Sequence, residues 1–188
     1  MSEDKTIVPI ETRYDGCRFR SRLEARWAVF MNTLGWKWDY EPQGFHLDKG
    51  AYLPDFWVET IHRWVEIKPP NPPDVAYELL QQLSDGTGKH AMLIAGDPWP
   101  EHHSVTLFRP GGPSEYELNT YSEGFCDCRK CDGGIWVSGD CGASSILCSC
   151  DPDRTKYPGL PENMSLVHKA HVAARSARFE YGETGGPA

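Results

Sequence analysis

The segment from Trp64 to Lys68 combines the apolar pattern of a strand with two opposite charges. Alternate side chains of a strand share a face, so Trp64, Glu66 and Lys68 point one way. The apolar residues between them, Val65 and Ile67, point the other way. The segment therefore predicts a largely buried strand that holds a carboxylate and an ammonium group side by side.

The elements around this strand predict a mixed α/β core. Ser21 is a suitable N-cap for a helix whose apolar residues recur at three- and four-residue spacing up to Gly35. An antiparallel meander is predicted from strand-like runs over residues 36–40, 52–59 and 63–68. After a proline-rich breaker, Asp74 opens a crossover helix that stops near Gly88. Two further strands extend the same sheet, over residues 90–95 and 104–108.

Asp55 brings a second carboxylate to the strand that carries Glu66. If their two strands pair in a hairpin, these acids lie close together, and they repel unless a proton or cation sits between them. Hard oxygen ligands with open positions suit Mg²⁺ or Mn²⁺, which keep waters and bind phosphate. The metal would activate water against a phosphodiester, while Lys68 holds that water or neutralises developing charge. Glu24 on the first helix adds a third acid.

These residues resemble the signature of the PD-(D/E)xK nuclease superfamily. Pro54-Asp55 and Glu66-Ile67-Lys68 match its motif, and Glu24 matches the acid that many members carry on a helix. The resemblance covers roughly residues 12–110, and its spacing is most similar to the phage Holliday-junction-resolving endonuclease I group. It implies a restriction-endonuclease-like core with the Ile67 carbonyl as an additional metal ligand. It also implies an accessory role for Gln81 or Gln82.

The expected activity is that of a Mg²⁺-dependent endodeoxyribonuclease with Glu24, Asp55, Glu66 and Lys68 as catalytic residues. By the same resemblance, the protein is phage-encoded and acts in DNA recombination, repair or processing. Symmetric cutting of junctions would require a homodimer. A different class of protein stays open, namely a non-catalytic zinc-dependent DNA-binding or adaptor protein in which the nuclease-like core is only a scaffold.

Charge and hydropathy limit the partners and the compartment. The net charge of −8 excludes a wholly basic nucleic-acid coat, so phosphate contacts are expected at local basic strips. One strip lies at the first helix and the other on a closing helix predicted over residues 162–181; the expected DNA contacts are Arg20, Arg22, Arg175 and Arg178. On the closing helix, His168 and His171 continue the charged stripe. Beside it runs a packing stripe of small residues, Val167, Ala170, Ala174 and Ala177.

The chain is expected to be cytosolic, in the host cytoplasm if phage-encoded. No apolar run approaches the roughly 20 residues that span a bilayer, and the N-terminus lacks the layout of a secretory signal. In such a reducing compartment, cysteines are thiols or metal ligands rather than disulfides. This expectation bears directly on residues 126–150, where six of the seven cysteines lie.

The crowded cysteines predict a structural zinc ribbon at residues 113–155, between a nuclease core at 1–112 and a terminal helix and tail at 156–188. Zinc takes four soft ligands in a tetrahedron, and two cysteine pairs on two turns supply them. The preferred ligands are Cys128, Cys131, Cys148 and Cys150, with Cys126 and Cys141 as substitutes. An iron–sulfur cluster that also uses Cys17 is the competing assignment, because some exonucleases of the superfamily carry one.

We expect one tightly held zinc ion per chain, since the cysteine segment has too few large apolar residues to fold without a metal. Elemental analysis of purified protein measures the stoichiometry. Iron with a visible absorption band, or no metal at all, would contradict the assignment. Replacement of Cys131 should unfold residues 126–150 and leave the secondary structure of the core unchanged.

Overall fold

The computed structural model describes residues 10–99, 102–112, 124–127, 134–137 and 165–179. The strands are β1 (Thr12–Tyr14), β2 (Cys17–Phe19), β3 (Trp38–Tyr40), β4 (Phe45–Leu47), β5 (Gly50–Tyr52), β6 (Phe56–Val58), β7 (Arg63–Lys68), β8 (His90–Gly96), β9 (His103–Phe108), β10 (Gly124–Asp127) and β11 (Gly134–Val137). The α-helices are α1 (Arg22–Thr33), α2 (Asp74–Thr87) and α3 (Ser165–Ser176).

A mixed five-stranded sheet in the order β3-β6-β7-β8-β9 forms the centre of the fold. Strands β3, β6 and β7 are antiparallel neighbours, as expected for a meander. Strand β8 is parallel to β7, which requires the crossover that α2 supplies. Strand β9 then returns antiparallel to β8. The predicted order of helix, meander, helix and two strands is confirmed, and the chain is a mixed α/β protein.

Helices cover both faces of this sheet. One face packs under α1 and α3, and its buried residues include Val65, Ile67 and Met92. The other face packs under α2, where Trp64 and Leu93 meet the helix. Successive residues of β7 therefore enter opposite layers, and the predicted alternation is confirmed.

Local sequence signals set the ends of α1. The Ser21 side chain accepts a hydrogen bond from the Glu24 backbone N–H at 3.2 Å, the geometry of an N-cap. At the other end, Gly35 has φ of +73°, a left-handed conformation that glycine adopts without steric cost. Between them, Trp27 and Phe30 are fully buried against the sheet. The cap fixes where Glu24 enters the structure.

The strand expected over residues 52–59 is divided in two. Tyr52 ends β5, which pairs with β4 in a separate hairpin, and Phe56 begins β6. Pro54 lies between them, and proline has no N–H to donate to a sheet. Asp55 thus directly precedes β6. The alternation of side-chain directions along the strand therefore does not determine where the Asp55 side chain points.

The closing helix is shorter than expected, since α3 ends at Ser176. Its small-residue stripe packs on α1 as predicted, with Val167, Ala170 and Ala174 buried. The prediction of a charged stripe on this helix is wrong at two positions. His171 is 4% exposed because its ring packs against Phe30, and Arg178 lies beyond the end of the helix.

Most of the zinc prediction falls outside the described residues. Cys128, Cys131, Cys141, Cys148 and Cys150 lie outside them, and Cys126 lies on β10. Strands β10 and β11 form an antiparallel hairpin.

No helix in the described part of the chain has the length and apolar character to cross a membrane.

Two histidines lie where α3 meets the loop that joins β8 to β9, and their rings are neighbours. His171 Nδ1 donates to the Pro98 carbonyl at 3.0 Å, and His103 Nδ1 donates to the Trp99 carbonyl at 2.9 Å. A carbonyl oxygen can only accept, so Nδ1 carries the proton in both rings. Burial lowers the pKa of His103 to about 4 and also lowers the pKa of His171.

Acidification should therefore weaken the docking of α3. Since both pKa values lie below the ordinary 6.5, the unfolded chain binds more protons, and stability falls as the pH drops from 6.5 towards 4. The slope is at most about 1.4 kcal/mol per pH unit for each histidine. Urea unfolding across this range should show a smaller loss for His171→Asn, whose amide can donate to Pro98 but takes no charge. Equal losses in both proteins would contradict the prediction.

Candidate active site

The backbone pairing of β6 and β7 brings Asp55 and Glu66 together. The register pairs Phe56 with Val65, so Asp55 and Glu66 meet one step further along. Asp55 Oδ2 accepts a hydrogen bond from the Ile67 N–H at 2.8 Å, and Glu66 Oε2 accepts one from the Asp55 N–H at 3.3 Å. Each carboxylate is thus held by the backbone of the other strand. Both are buried, at 2% and 3% exposure.

Burial and the neighbouring charge oppose the ionisation of Asp55. Loss of solvation raises the pKa of its carboxyl well above the ordinary value, and the charge of Glu66 raises it further. The Lys68 ammonium and the Ile67 N–H act in the opposite direction and offset only part of this rise. The acid pair therefore retains a proton or needs an additional cation beside it.

Two cationic side chains contact the pair. Lys68 Nζ forms a close ion pair with Glu66 Oε1, and Arg20 Nη2 lies 3.1 Å from Asp55 Oδ1. Arg20 Nε also lies 2.6 Å from Glu41 Oε1. Burial lowers the pKa of Lys68, but the charges of Glu66 and Asp55 outweigh it, so the net shift is upward. Lys68 is therefore an ammonium donor at neutral pH and not a general base.

Two tyrosine hydroxyls complete the hydrogen bonding of the acids. Tyr52 donates to Glu66 Oε2 at 2.9 Å, and Tyr40 donates to Glu24 Oε2 at 2.7 Å. Burial raises the pKa of both phenols, and the adjacent carboxylates raise it further. Both hydroxyls thus remain protonated donors. Neither hydroxyl was predicted from the sequence. Tyr52 belongs to the unforeseen β4–β5 hairpin, and the contact of Tyr40 with Glu24 spans 16 positions of the chain.

Glu24 lies beside the pair without joining it. Its carboxylate accepts hydrogen bonds from the Ser21 hydroxyl at 2.6 Å and from the Arg20 N–H at 3.2 Å. Its charge contributes to the raised pKa of Asp55, which shows that the two groups are electrostatically coupled. Among the described residues, no three His, Cys, Asp or Glu side chains gather closely enough to hold a metal ion.

The remaining predicted residues take different positions. Of the four arginines expected to contact DNA, Arg20 lies in the acid site, whereas Arg22, Arg175 and Arg178 line a neighbouring cavity. Gln81 donates to the Arg109 carbonyl at 3.0 Å. This contact lies at the end of the sheet opposite to the end that carries Lys68. The Gln82 carbonyl oxygen accepts from the Asp48 N–H at 3.1 Å.

These two contacts do not support the accessory role for Gln81 or Gln82. Gln81 instead contacts the residue that follows β9, and Gln82 contacts the residue that follows β4. The Ile67 carbonyl as a metal ligand stays a prediction.

Comparisons of this chain with protein-family models, with curated proteins and with solved structures find no match. The chemistry of the site therefore has to be argued from its geometry. Two buried carboxylates on adjoining strands present hard oxygen donors, and burial together with the charge of Glu66 opposes the ionisation of Asp55. A divalent cation such as Mg²⁺ fits this donor set, with waters filling the other positions.

Mg²⁺ should raise the melting temperature of the protein and leave that of Asp55→Asn unchanged. At about 100 times its Kd, a ligand that binds only the folded state stabilises it by about 2.7 kcal/mol. Because the pKa of Asp55 is raised above its ordinary 3.8, the cation must displace a proton. The thermal shift should therefore grow as the pH rises through that pKa. Glu78→Gln, an exposed acid on α2, is the control; equal shifts in Asp55→Asn and the parent protein would contradict this site.

Proposed function

We propose that this chain is a metal-dependent DNA endonuclease whose centre is the Asp55–Glu66 pair. The observation that carries the proposal is the buried carboxylate pair, with a raised Asp55 pKa and a lysine ammonium on the same strand as Glu66. Perturbed carboxyl groups beside a cation are characteristic of sites that bind a metal or transfer protons. Mg²⁺, or Mn²⁺ in its place, is the cofactor that these oxygen donors favour.

The order of the elements also supports a restriction-endonuclease-like core. A helix that bears an acid precedes an antiparallel meander, and a crossover helix leads to a parallel strand. The PD-(D/E)xK resemblance assigns Asp55 and Glu66-Ile67-Lys68 to two paired strands of the meander. Asp55 directly precedes β6, which pairs with β7, and Lys68 is the last residue of β7.

Each side chain has a distinct part in hydrolysis. A cation held there would supply Lewis-acid polarisation of the phosphodiester and would lower the pKa of a water molecule. Asp55 and Glu66 would hold that cation, and the two strands fix the positions of their carboxylates. Lys68 donates a hydrogen bond that positions the attacking water and stabilises negative charge on the phosphate. Glu24, fixed by Ser21 and Tyr40, completes the negative field around Asp55.

The biological setting is proposed on the resemblance alone. A phage-encoded enzyme of DNA recombination, repair or processing would act in the host cytoplasm, with a zinc ribbon as a structural addition. A homodimer would allow symmetric cutting of a junction, because each copy would supply one site. Comparison of linear, nicked, single-stranded and four-way-junction DNA identifies the substrate class.

One observation favours a second function, that of a non-catalytic DNA-binding or adaptor protein. Arg20 and Lys68 already contact Asp55 and Glu66, so the acid pair has internal counter-charges. A scaffold would need no further cation. The two functions differ in one measurable respect, because the scaffold binds DNA in the presence of Mg²⁺ without cutting it.

Purified protein should nick covalently closed plasmid DNA with Mg²⁺ or Mn²⁺, and EDTA should stop the reaction. A closed circle has no ends, so its cleavage demonstrates an endonuclease. Asp55→Asn, Glu66→Gln and Lys68→Gln should each lower the initial rate by about 100-fold or more, because each removes a group that acts on the transition state. DNA affinity without metal should change little.

The matched control is Glu78→Gln with Lys49→Gln, which removes an exposed acid and its lysine partner outside the site. This variant should cut at the parental rate. Parental rates in all three site variants would show that the acid pair does not catalyse cleavage. Binding without cleavage by the parent protein would assign the scaffold function.

A further inference from the structure

Four arginines converge on a groove between α1 and the C-terminal part of the described chain. Arg22 and Arg26 come from one face of α1, one helical turn apart. Arg175 comes from α3, and Arg178 follows its end. We call this feature the arginine groove, defined by these four residues.

Two adjoining cavities make up the arginine groove. One, of about 290 Å³, is lined by Arg26, Asp97, Pro98, Trp99, His102 and Arg175. The other, of about 340 Å³, includes Arg22, Arg26, Arg175 and Arg178 in its lining. Arg26 and Arg175 border both cavities, so the groove is continuous.

The groove carries an excess of positive charge in a chain whose net charge is −8. Among the described residues that line it, Asp97 is the single carboxylate, and it lies 3.3 Å from Arg26. The Nε groups of Arg22 and Arg26 are buried and donate to no acceptor in the described part of the chain. Buried donors of this kind call for a hydrogen-bond acceptor, and four guanidinium groups favour an anionic one.

The walls of the groove are held in place. The Arg175 guanidinium lies 4.5 Å from the centre of the Trp99 ring, a cation–π contact that orients it. The hydrogen bond from His171 to Pro98 fixes the same loop against α3. At its start, Gly96 has φ of +114°, and an added Cβ would lie 2.1 Å from the His102 carbonyl oxygen. Only glycine permits this close return of the chain.

The groove lies at the same end of the sheet as the acid pair, where β7 and β8 terminate. Lys68, the last residue of β7, pairs with Ala95 of β8, and the loop with Asp97 and Trp99 follows directly. On the other side, the Trp27 indole of α1 donates to the Gly96 carbonyl at 2.9 Å. The amino-terminal half of α1 thus contributes Glu24 beside the acid pair and Arg22 and Arg26 to the groove.

We infer that the arginine groove binds the phosphate backbone of the DNA strand that flanks the candidate active site. This inference rests on the proposed endonuclease function and assigns its DNA-positioning surface. Guanidinium groups form forked hydrogen bonds with phosphate oxygens. Their distribution over two joined cavities suits several successive phosphates of a polyanion rather than one small anion. The contacts involve no bases, so they fix position without reading sequence.

The test is the salt dependence of duplex DNA binding, measured in EDTA by fluorescence anisotropy over roughly 50 to 200 mM salt. Loss of two phosphate contacts in Arg175→Gln with Arg178→Gln should make the logarithmic slope shallower by about 1.8, since each contact contributes roughly 0.9. Arg22→Gln with Arg26→Gln should give a similar change from the α1 side. Both effects should be alike for duplexes of unrelated sequence.

The matched control, Lys89→Gln with Lys169→Gln, removes the same charge from exposed positions outside both cavities. Its slope should equal that of the parent protein. Parental slopes in both arginine variants, or the same change in the control, would overturn the inference. Binding of inorganic phosphate that the arginine variants lose, with an unchanged DNA slope, would assign a small-anion site instead.

This outcome is separable from that of the proposed function. Parental slopes in a protein that cleaves DNA would reject the groove and retain the endonuclease. Shallower slopes in a protein that never cleaves DNA would retain the groove as a DNA-binding surface and reject the endonuclease.

Discussion

Two carboxylates are buried between β6 and β7 where water cannot solvate them, and the residues around them compensate that cost. The strand pairing itself provides the first compensation, because the Ile67 and Asp55 N–H groups donate to the acids on the neighbouring strand. An unpaired charge in such surroundings would cost several kcal/mol. The position of the acids is therefore as well defined as the sheet that holds them.

The neighbouring side chains complete this compensation unevenly. Glu66 contacts both Lys68 and the Tyr52 hydroxyl, whereas Asp55 has only the half-exposed Arg20 beside its outer oxygen. Burial and the charge of Glu66 raise the pKa of Asp55 well above its ordinary value, and Lys68 offsets only part of this rise. Buried carboxyl groups whose charged form is destabilised are usual at functional sites, where activity is gained at a cost in folding stability.

Helix α1 connects the acid site to the rest of the molecule. Its first turn carries Glu24 towards Asp55, its buried face packs Trp27 onto the end of β8, and Arg22 and Arg26 line the arginine groove. Helix α3 packs against the same helix through its small residues. The acid site and the groove are consequently built on the same helix, which packs against α3 and the sheet.

The sequence alone determined the features that depend on neighbours within a few residues. The alternation of Glu66 and Ile67 in β7, the Ser21 cap and the Gly35 end of α1 follow from strand period, side-chain reach and backbone sterics. The order of the core elements followed from the same local patterns. The approach of Asp55 to Glu66 was predictable as well, because a short hairpin leaves little choice of register.

Only the tertiary structure decided which distant groups surround the acids. Arg20 reaches Asp55 across 35 positions, and Tyr40 reaches Glu24 across 16, through packing that no local pattern encodes. The burial of His171 similarly depends on Phe30 and Pro98, so its place in a charged stripe was misleading. Side-chain type and spacing limit what a residue can do, but long-range packing selects its partners, because the free energy of burial is a property of the whole core.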